Sequence, residues 1–176
     1  MTPRRSTRIM IVALVVVLAF SAAAFAGGAG RTSGVYVSKR FHYSLQVPTG
    51  FKRVPATSDA LPGFYPTGES VAADRFLHGA YKFAIDSSAT PQTLGQWTRA
   101  RAKLIAQHFG CDKPKTSHVP LGGASAVQLD YKICAGVRFV AIEAVHNGRG
   151  YDVFWLGGAS IKPALVQDIA TFKFLP

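Results

Sequence analysis

The first hydrophobic feature of the chain is an unbroken one. Every residue from Ile9 to Phe20 is apolar, and an alanine-rich stretch carries the run on to Ala26. Arg4, Arg5 and Arg8 precede it with no acidic residue, and Ala24-Phe25-Ala26 closes it with small residues where a signal peptidase reads. A basic start, an apolar middle and an A-x-A end predict a secretory signal over 1–26. Ile9 to Ala26 also approaches the ~20 residues that span a bilayer, so an uncleaved anchor is the alternative. No cysteine stands near the cleavage site, which excludes a lipid-modified start. A glycine-rich tether over 27–34 leads into a single domain expected over 35–176.

Beyond the tether the pattern becomes alternation. Tyr43, Leu45 and Val47 alternate with Ser44 and Gln46, predicting a strand that Pro48-Thr49-Gly50 turns. Phe51 to Val54 predicts a short returning strand, and the proline-rich Pro55 to Gly68 a long loop. Val71 to Leu77 and the alternating Tyr81, Phe83 and Ile85 predict two more strands. Thr90-Pro91 then opens a helix, threonine as cap and proline in the first turn, that stops at Gly110. At 100° per residue Leu94, Trp97, Leu104 and Ile105 share one face, and Arg101 and His108 fall in the middle of it.

Ala126 to Leu156 carries the most regular pattern. Ala135-Gly136 and Asn147-Gly148 read as two-residue hairpin turns joining three strands into a meander. Taken literally, they pair Cys134 with Val137, Leu129 with Ile142, and Ile142 with Val153. Val127, Leu129, Tyr131 and Ile133 then share a core face with Val140, Ile142, Ala144, Tyr151, Val153 and Trp155. The opposite face mixes Phe139, Ala141 and Phe154 with Asp130, Glu143 and Asp152. Two half-apolar faces predict helices on both sides of the sheet. The second helix is expected over Pro163 to Ala170, with Leu165, Val166 and Ile169 inward, before a short strand at Phe172 and Phe174.

The order of these pieces resembles the PsbP/Mog1-like family. The matching segments are Phe41-His42-Tyr43-Ser44-Leu45-Gln46-Val47-Pro48, the mid-chain helix, the small-residue entry Gly122-Gly123-Ala124-Ser125-Ala126, the meander, and the ending Thr171-Phe172-Lys173-Phe174. The resemblance implies an α+β fold of α/β/α sandwich type around a central antiparallel sheet. It also implies an accessory or binding role, because members of that family serve mostly in that way. No catalytic or metal-ligating residues carry over from it, so fold analogy is its only warrant for function.

Charge adds a second theme. The 176 residues include 20 basic and 9 acidic ones. Without the three arginines of residues 1–26 the domain carries +8, a surplus that favours polyanionic surfaces or simply solubility. The clusters are short: Lys39-Arg40, Lys52-Arg53, and Lys113 with Lys115. Cys111 and Cys134 lie outside any C-x-x-C motif, and in an exported chain they predict one structural disulfide.

Motifs for chemistry are sparse. The histidines at 42, 78, 108, 118 and 146 show no H-x-x-x-H spacing, so neither a metal nor another cofactor is expected. No phosphate loop or G-x-S-x-G elbow occurs. Gly157-Gly158-Ala159-Ser160 could present amides to an anion at the start of the last helix, but a plain strand-to-helix turn is the reading preferred. One polar cluster needs a reason: Arg101, Asp130, Glu143 and Asp152. In the literal register Glu143 and Asp152 are cross-strand neighbours, where like charges are unfavourable without a partner. Arg101 is therefore expected to be buried and bonded to Asp130 or Glu143.

Three functional readings follow. The leading one is an exported, non-catalytic binding or accessory module of the cell envelope. The second is an extracytoplasmic hydrolase or transferase using Glu143 and Asp152 as an acid–base pair. The third is an adhesion factor for acidic envelope polymers. The expected partner is an envelope protein or an acidic polymer, with no specific nucleic acid. Membrane contact is expected only through residues 9–26 if these stay uncleaved, and the domain is expected to be a monomer.

Overall fold

A computed structural model describes residues 34–54, 73–79, 81–134, 136–157 and 169–176. The export segment, the loop expected over 55–68 and most of the second expected helix lie outside these residues. Of that helix, Ile169 to Thr171 form a turn.

Alternating segments become strands because a pleated backbone sends successive side chains to opposite faces. In chain order the elements are β1 (Val35–Ser38), β2 (Tyr43–Gln46), β3 (Lys52–Val54), β4 (Asp74–His78) and β5 (Tyr81–Ala89). They continue with α1 (Leu94–Phe109), β6 (Lys115–Leu121), β7 (Ala124–Cys134), β8 (Val137–His146), β9 (Arg149–Gly157) and β10 (Lys173–Phe174). Seven strands form one antiparallel sheet in the order β3-β4-β5-β9-β8-β7-β6, and three form a second in the order β1-β2-β10. The fold is α+β.

The segment after Pro48-Thr49-Gly50 does not return against β2. It leaves the small sheet and pairs as β3 with β4 at the edge of the large one. β6 is absent from the alternation pattern, since its polar residues and Pro120 hide it. It is joined to β7 by a tight turn at Gly122-Gly123, both with positive φ (56° and 85°). A side chain at Gly122 would also collide with Phe174, 2.9 Å from its Cβ position.

Both faces of the large sheet are covered, as the mixed patterning requires. On one side Tyr43, Leu45 and Phe172, with Phe41 and Val47, pack onto Val140, Ile142, Val153 and Trp155. Among the described residues this layer is the small sheet and the chain around it, where a helix was expected. On the other side Ile105 of α1 packs with Leu129, Tyr131, Phe139 and Ala141.

That second cluster corrects the literal register. Cys134 opposes Val137 and Ile142 opposes Val153, but Leu129 opposes Ala141 and Gln128 opposes Ile142. An irregularity between Tyr131 and Cys134 sets Lys132 and Ile133 against Arg138 alone. This extra residue is a β-bulge, and one residue of slip exchanges the two faces of a strand. Val127, Leu129 and Tyr131 therefore face α1, while Asp130 turns to the opposite side and Ile133 is exposed.

A disulfide joins Cys111, just past the end of α1, to Cys134 beside the bulge, with Cα atoms 4.2 Å apart. The link closes a loop of sequence separation 23, for which chain entropy gives a contribution of roughly 3 kcal/mol. Peptide mapping without reductant should recover the two cysteines linked. Reduction should lower the unfolding free energy by about that amount. Two freely alkylated thiols in the native protein would reject the bond.

Candidate functional site

The site begins with the cap of α1. Thr93, rather than the expected Thr90, is the N-cap: its hydroxyl accepts from the Gln96 amide at 3.4 Å, while Gln96 Oε1 accepts from the Thr93 amide at 2.9 Å. Thr90 instead accepts from the Gln92 amide at 3.2 Å and stays in the loop. Starting at Leu94 sets the phase of the helix so that Trp97, Thr98, Arg101 and Ile105 point inward. His108, expected on that face, is exposed in the last turn.

Beneath Trp97 and Arg101 lies a row of carboxylates. Asp86 of β5 stands opposite Asp152 of β9, and Asp152 stands opposite Glu143 of β8. All three are 0% exposed, and Arg101 is 1% exposed. Three neighbouring acids inside a protein demand either cations or protons. Both are present. Arg101 Nη2 donates to Asp152 Oδ2 and lies 3.7 Å from Asp86 Oδ2. Trp97 Nε1 donates to Glu143 Oε2 at 2.8 Å and to the Tyr151 carbonyl at 3.3 Å.

The indole reaches this depth because Gly150 carries no side chain; a Cβ there would sit 2.5 Å from the Trp97 ring. The Arg101 guanidinium lies 5.5 Å from the centre of the same ring, a cation–π contact that orients it.

The electrostatics follow from burial. Desolvation alone would lower the Arg101 pKa, but Asp152, then Asp86 and Glu143, outweigh it and hold it above its ordinary value. Glu143 is held well above the usual carboxylate range by burial first and by Asp152 second, against the pull of Arg101. Burial and its neighbour thus favour its protonated form. Burial, with Glu143 and Asp152 nearby, also raises the Tyr131 phenol.

Of the four residues singled out by sequence, three meet here: Arg101, Glu143 and Asp152. Asp130 does not. The bulge places it on the far face, where Arg138 grips it with Nε at 3.2 Å and Nη2 at 2.7 Å. The expectation that Arg101 bonds to Asp130 is corrected accordingly: Arg101 bonds to Asp152 and lies beside Asp86, with Glu143 close enough to help hold its charge. Asp86 was missed because only the β5–β9 pairing brings it into the row, and Trp97 because an aromatic on an apolar face reads as core.

Chemically, the arrangement is an internal clamp. Glu143 and Asp152 are buried beneath α1 rather than set in an open cleft. Among the described residues no group of three or more His, Cys, Asp or Glu side chains could hold a metal ion. The histidines occupy separate elements: the β1–β2 turn, β4, α1, β6 and β8. No described helix is long and apolar enough to cross a membrane.

Comparison with known proteins fits this picture. No family model matches the chain, and no curated protein does. Among solved structures it is similar to the solution structure of cyanobacterial PsbP (CyanoP) from Synechocystis sp. PCC 6803. The two share 18% sequence identity and a TM-score of 0.57, over 84% of this chain and 96% of that one. At that identity the likeness shows a PsbP-like fold.

Two substitutions test the clamp. Arg101→Ala should strand two buried carboxylates and lower the unfolding free energy by about 3–5 kcal/mol in a denaturant titration. A loss below about 1 kcal/mol would mean that the guanidinium is dispensable.

Glu143 gives a pH signature. Its pKa is raised in the fold above the unfolded 4.5, so the native state binds its proton more tightly. The stability this confers is complete below the unfolded pKa and is lost as pH rises through the native one. Glu143→Gln imitates the protonated acid. The stability of wild type relative to Glu143→Gln should therefore fall as pH rises above the unfolded pKa, by up to ~1.4 kcal/mol per unit. A difference independent of pH would mean that Glu143 is ionised in the fold.

Proposed function

We propose that the chain is an exported, non-catalytic binding or accessory module of the cell envelope. The observation that carries this reading is the condition of its ionisable groups. The densest set, Asp86, Arg101, Glu143 and Asp152, is wholly buried and holds α1 onto the sheet. Groups enclosed in this way stabilise a scaffold and cannot meet a substrate, which speaks against the acid–base enzyme.

Other features support the same reading. The PsbP-like fold agrees with the accessory role that the family resemblance implies. The basic, apolar and A-x-A pattern of residues 1–26 supports export, as does the Cys111–Cys134 link, which suits an oxidising compartment.

Two measurements test the proposal. Intact mass of the protein recovered from the envelope fraction of its native host should begin at Gly27. A species retaining Met1 or Thr2 would make it a membrane-anchored module, and recovery from the cytosol would sink the export reading. In a deletion strain Glu143→Gln should rescue any phenotype as fully as wild type. A folded but non-rescuing Glu143→Gln would return the acid–base enzyme to first place.

A further inference from the structure

Acids and bases in this fold are sorted by depth. Six acidic residues lie in the described segments, and four of them, Asp74, Asp86, Glu143 and Asp152, are buried. Asp112 and Asp130 remain nearer the surface, Asp130 in the grip of Arg138. Arg101 is the one lysine or arginine whose described side chain is buried. The positive surplus therefore stands at the surface, where it can meet a ligand.

It is concentrated where two dibasic pairs converge. The passage of the chain from β2 into β3 brings Lys39-Arg40 and Lys52-Arg53 to one corner, and a chain of contacts joins them. Arg40 Nη2 donates to Asp74 Oδ1 at 3.0 Å. Asp74 Oδ2 accepts from Ser38 Oγ at 2.6 Å and from the Tyr43 hydroxyl at 2.9 Å. The Tyr36 and Tyr43 ring centres are 6.1 Å apart, and the Arg53 guanidinium lies 4.9 Å over Tyr36. Arg75 follows Asp74 and stands opposite Val54 of β3.

Asp74 is the one acid among the described residues of this corner, and it is 3% exposed and bonded to Arg40. Lys39, Lys52 and Arg53 are exposed. Arg40 also stacks on an aromatic face, its guanidinium 4.3 Å from the Phe41 ring centre. At the surface, stacking on Tyr36 likewise pre-orients the exposed Arg53 guanidinium.

The shape of the patch defines its ligand. Alternation along β3 sends Lys52 and Arg53 to opposite sides of an edge strand, so one small anion cannot meet both. A chain running along the edge meets each in turn. Beside the two exposed lysines, Arg53 adds a planar fork that matches phosphate oxygens. We propose that this corner is a docking surface for a linear polymer of phosphate groups. The inference deepens the binding-module reading and rests on it.

The test uses long-chain polyphosphate as probe and compares two variants that each remove three exposed charges. Lys39→Gln/Lys52→Gln/Arg53→Gln strips the corner but leaves Arg40 on Asp74; Lys113→Gln/Lys115→Gln/Lys132→Gln strips the region near the bulge. Wild type should bind with an affinity that falls linearly on logarithmic salt axes. The corner variant should lose roughly tenfold in affinity at ~0.1 M salt, and its slope should shrink by about 2. The second variant should stay within about threefold of wild type.

Equal losses in both variants would reduce the effect to net charge and overturn the site. Binding to anionic lipid vesicles without binding to polyphosphate would overturn it in favour of a membrane. Absence of any polyphosphate binding would overturn it too, while leaving a protein partner open to the module. Should the corner triple fail to fold, Lys39→Gln against Lys113→Gln makes the same comparison at exposed positions.

Discussion

The packing of α1 depends on resolving one electrostatic conflict, the row Asp86–Asp152–Glu143 across three neighbouring strands. Such a row is tolerable inside a protein only if charge is matched or removed, because desolvated carboxylates repel across strands. The helix supplies a cation to Asp152 and Asp86 through Arg101, and an N–H donor to Glu143 through Trp97. Burial and the neighbouring Asp152 push Glu143 toward its protonated form. Apolar packing around Ile105 could hold the helix against the sheet in several rotations. The clamp selects one, since Arg101 and Trp97 must both land on their partners while Trp97 lies flat against Gly150.

The bulge in β7 is the second constraint, and it serves the first. By shifting Leu129 and Tyr131 onto the helix side, it gives α1 an apolar seat beside the carboxylate row. By turning Asp130 away, it keeps a fourth acid out of that row and leaves it to Arg138 at the rim. The disulfide stands next to the bulge and ties it to the end of the helix, so the irregular strand and the helix terminus are held together.

The same economy of acids shapes the exterior. Asp74 repeats, at the junction of the two sheets, what the central row does under the helix: a buried carboxylate collects donors from different elements, here Ser38, Tyr43 and Arg40. With four of the six described acids turned inward, the described surface is more basic than the composition of these segments alone conveys. Structural demand inside the fold and binding potential on its surface are therefore linked through where the carboxylates go.

Local pattern determined much of this protein. Strands β2, β5, β8 and β9, both turns of the meander and the helix with its stop at Gly110 were legible because each is set by residues within a few positions. The oddity of Arg101 on an apolar face and the adjacency of Glu143 and Asp152 were legible for the same reason, as was the candidate disulfide. Tertiary structure decided the rest. A bulge leaves no mark in alternation, so the face of Asp130 was beyond reach of the sequence. Asp86 is an ordinary outward-phase residue until β5 pairs with β9, a contact between segments more than sixty residues apart. The basic corner likewise exists only because the chain crosses between sheets at Pro48-Thr49-Gly50. Periodicity records which residues seek burial, and long-range pairing alone settles what they are buried against.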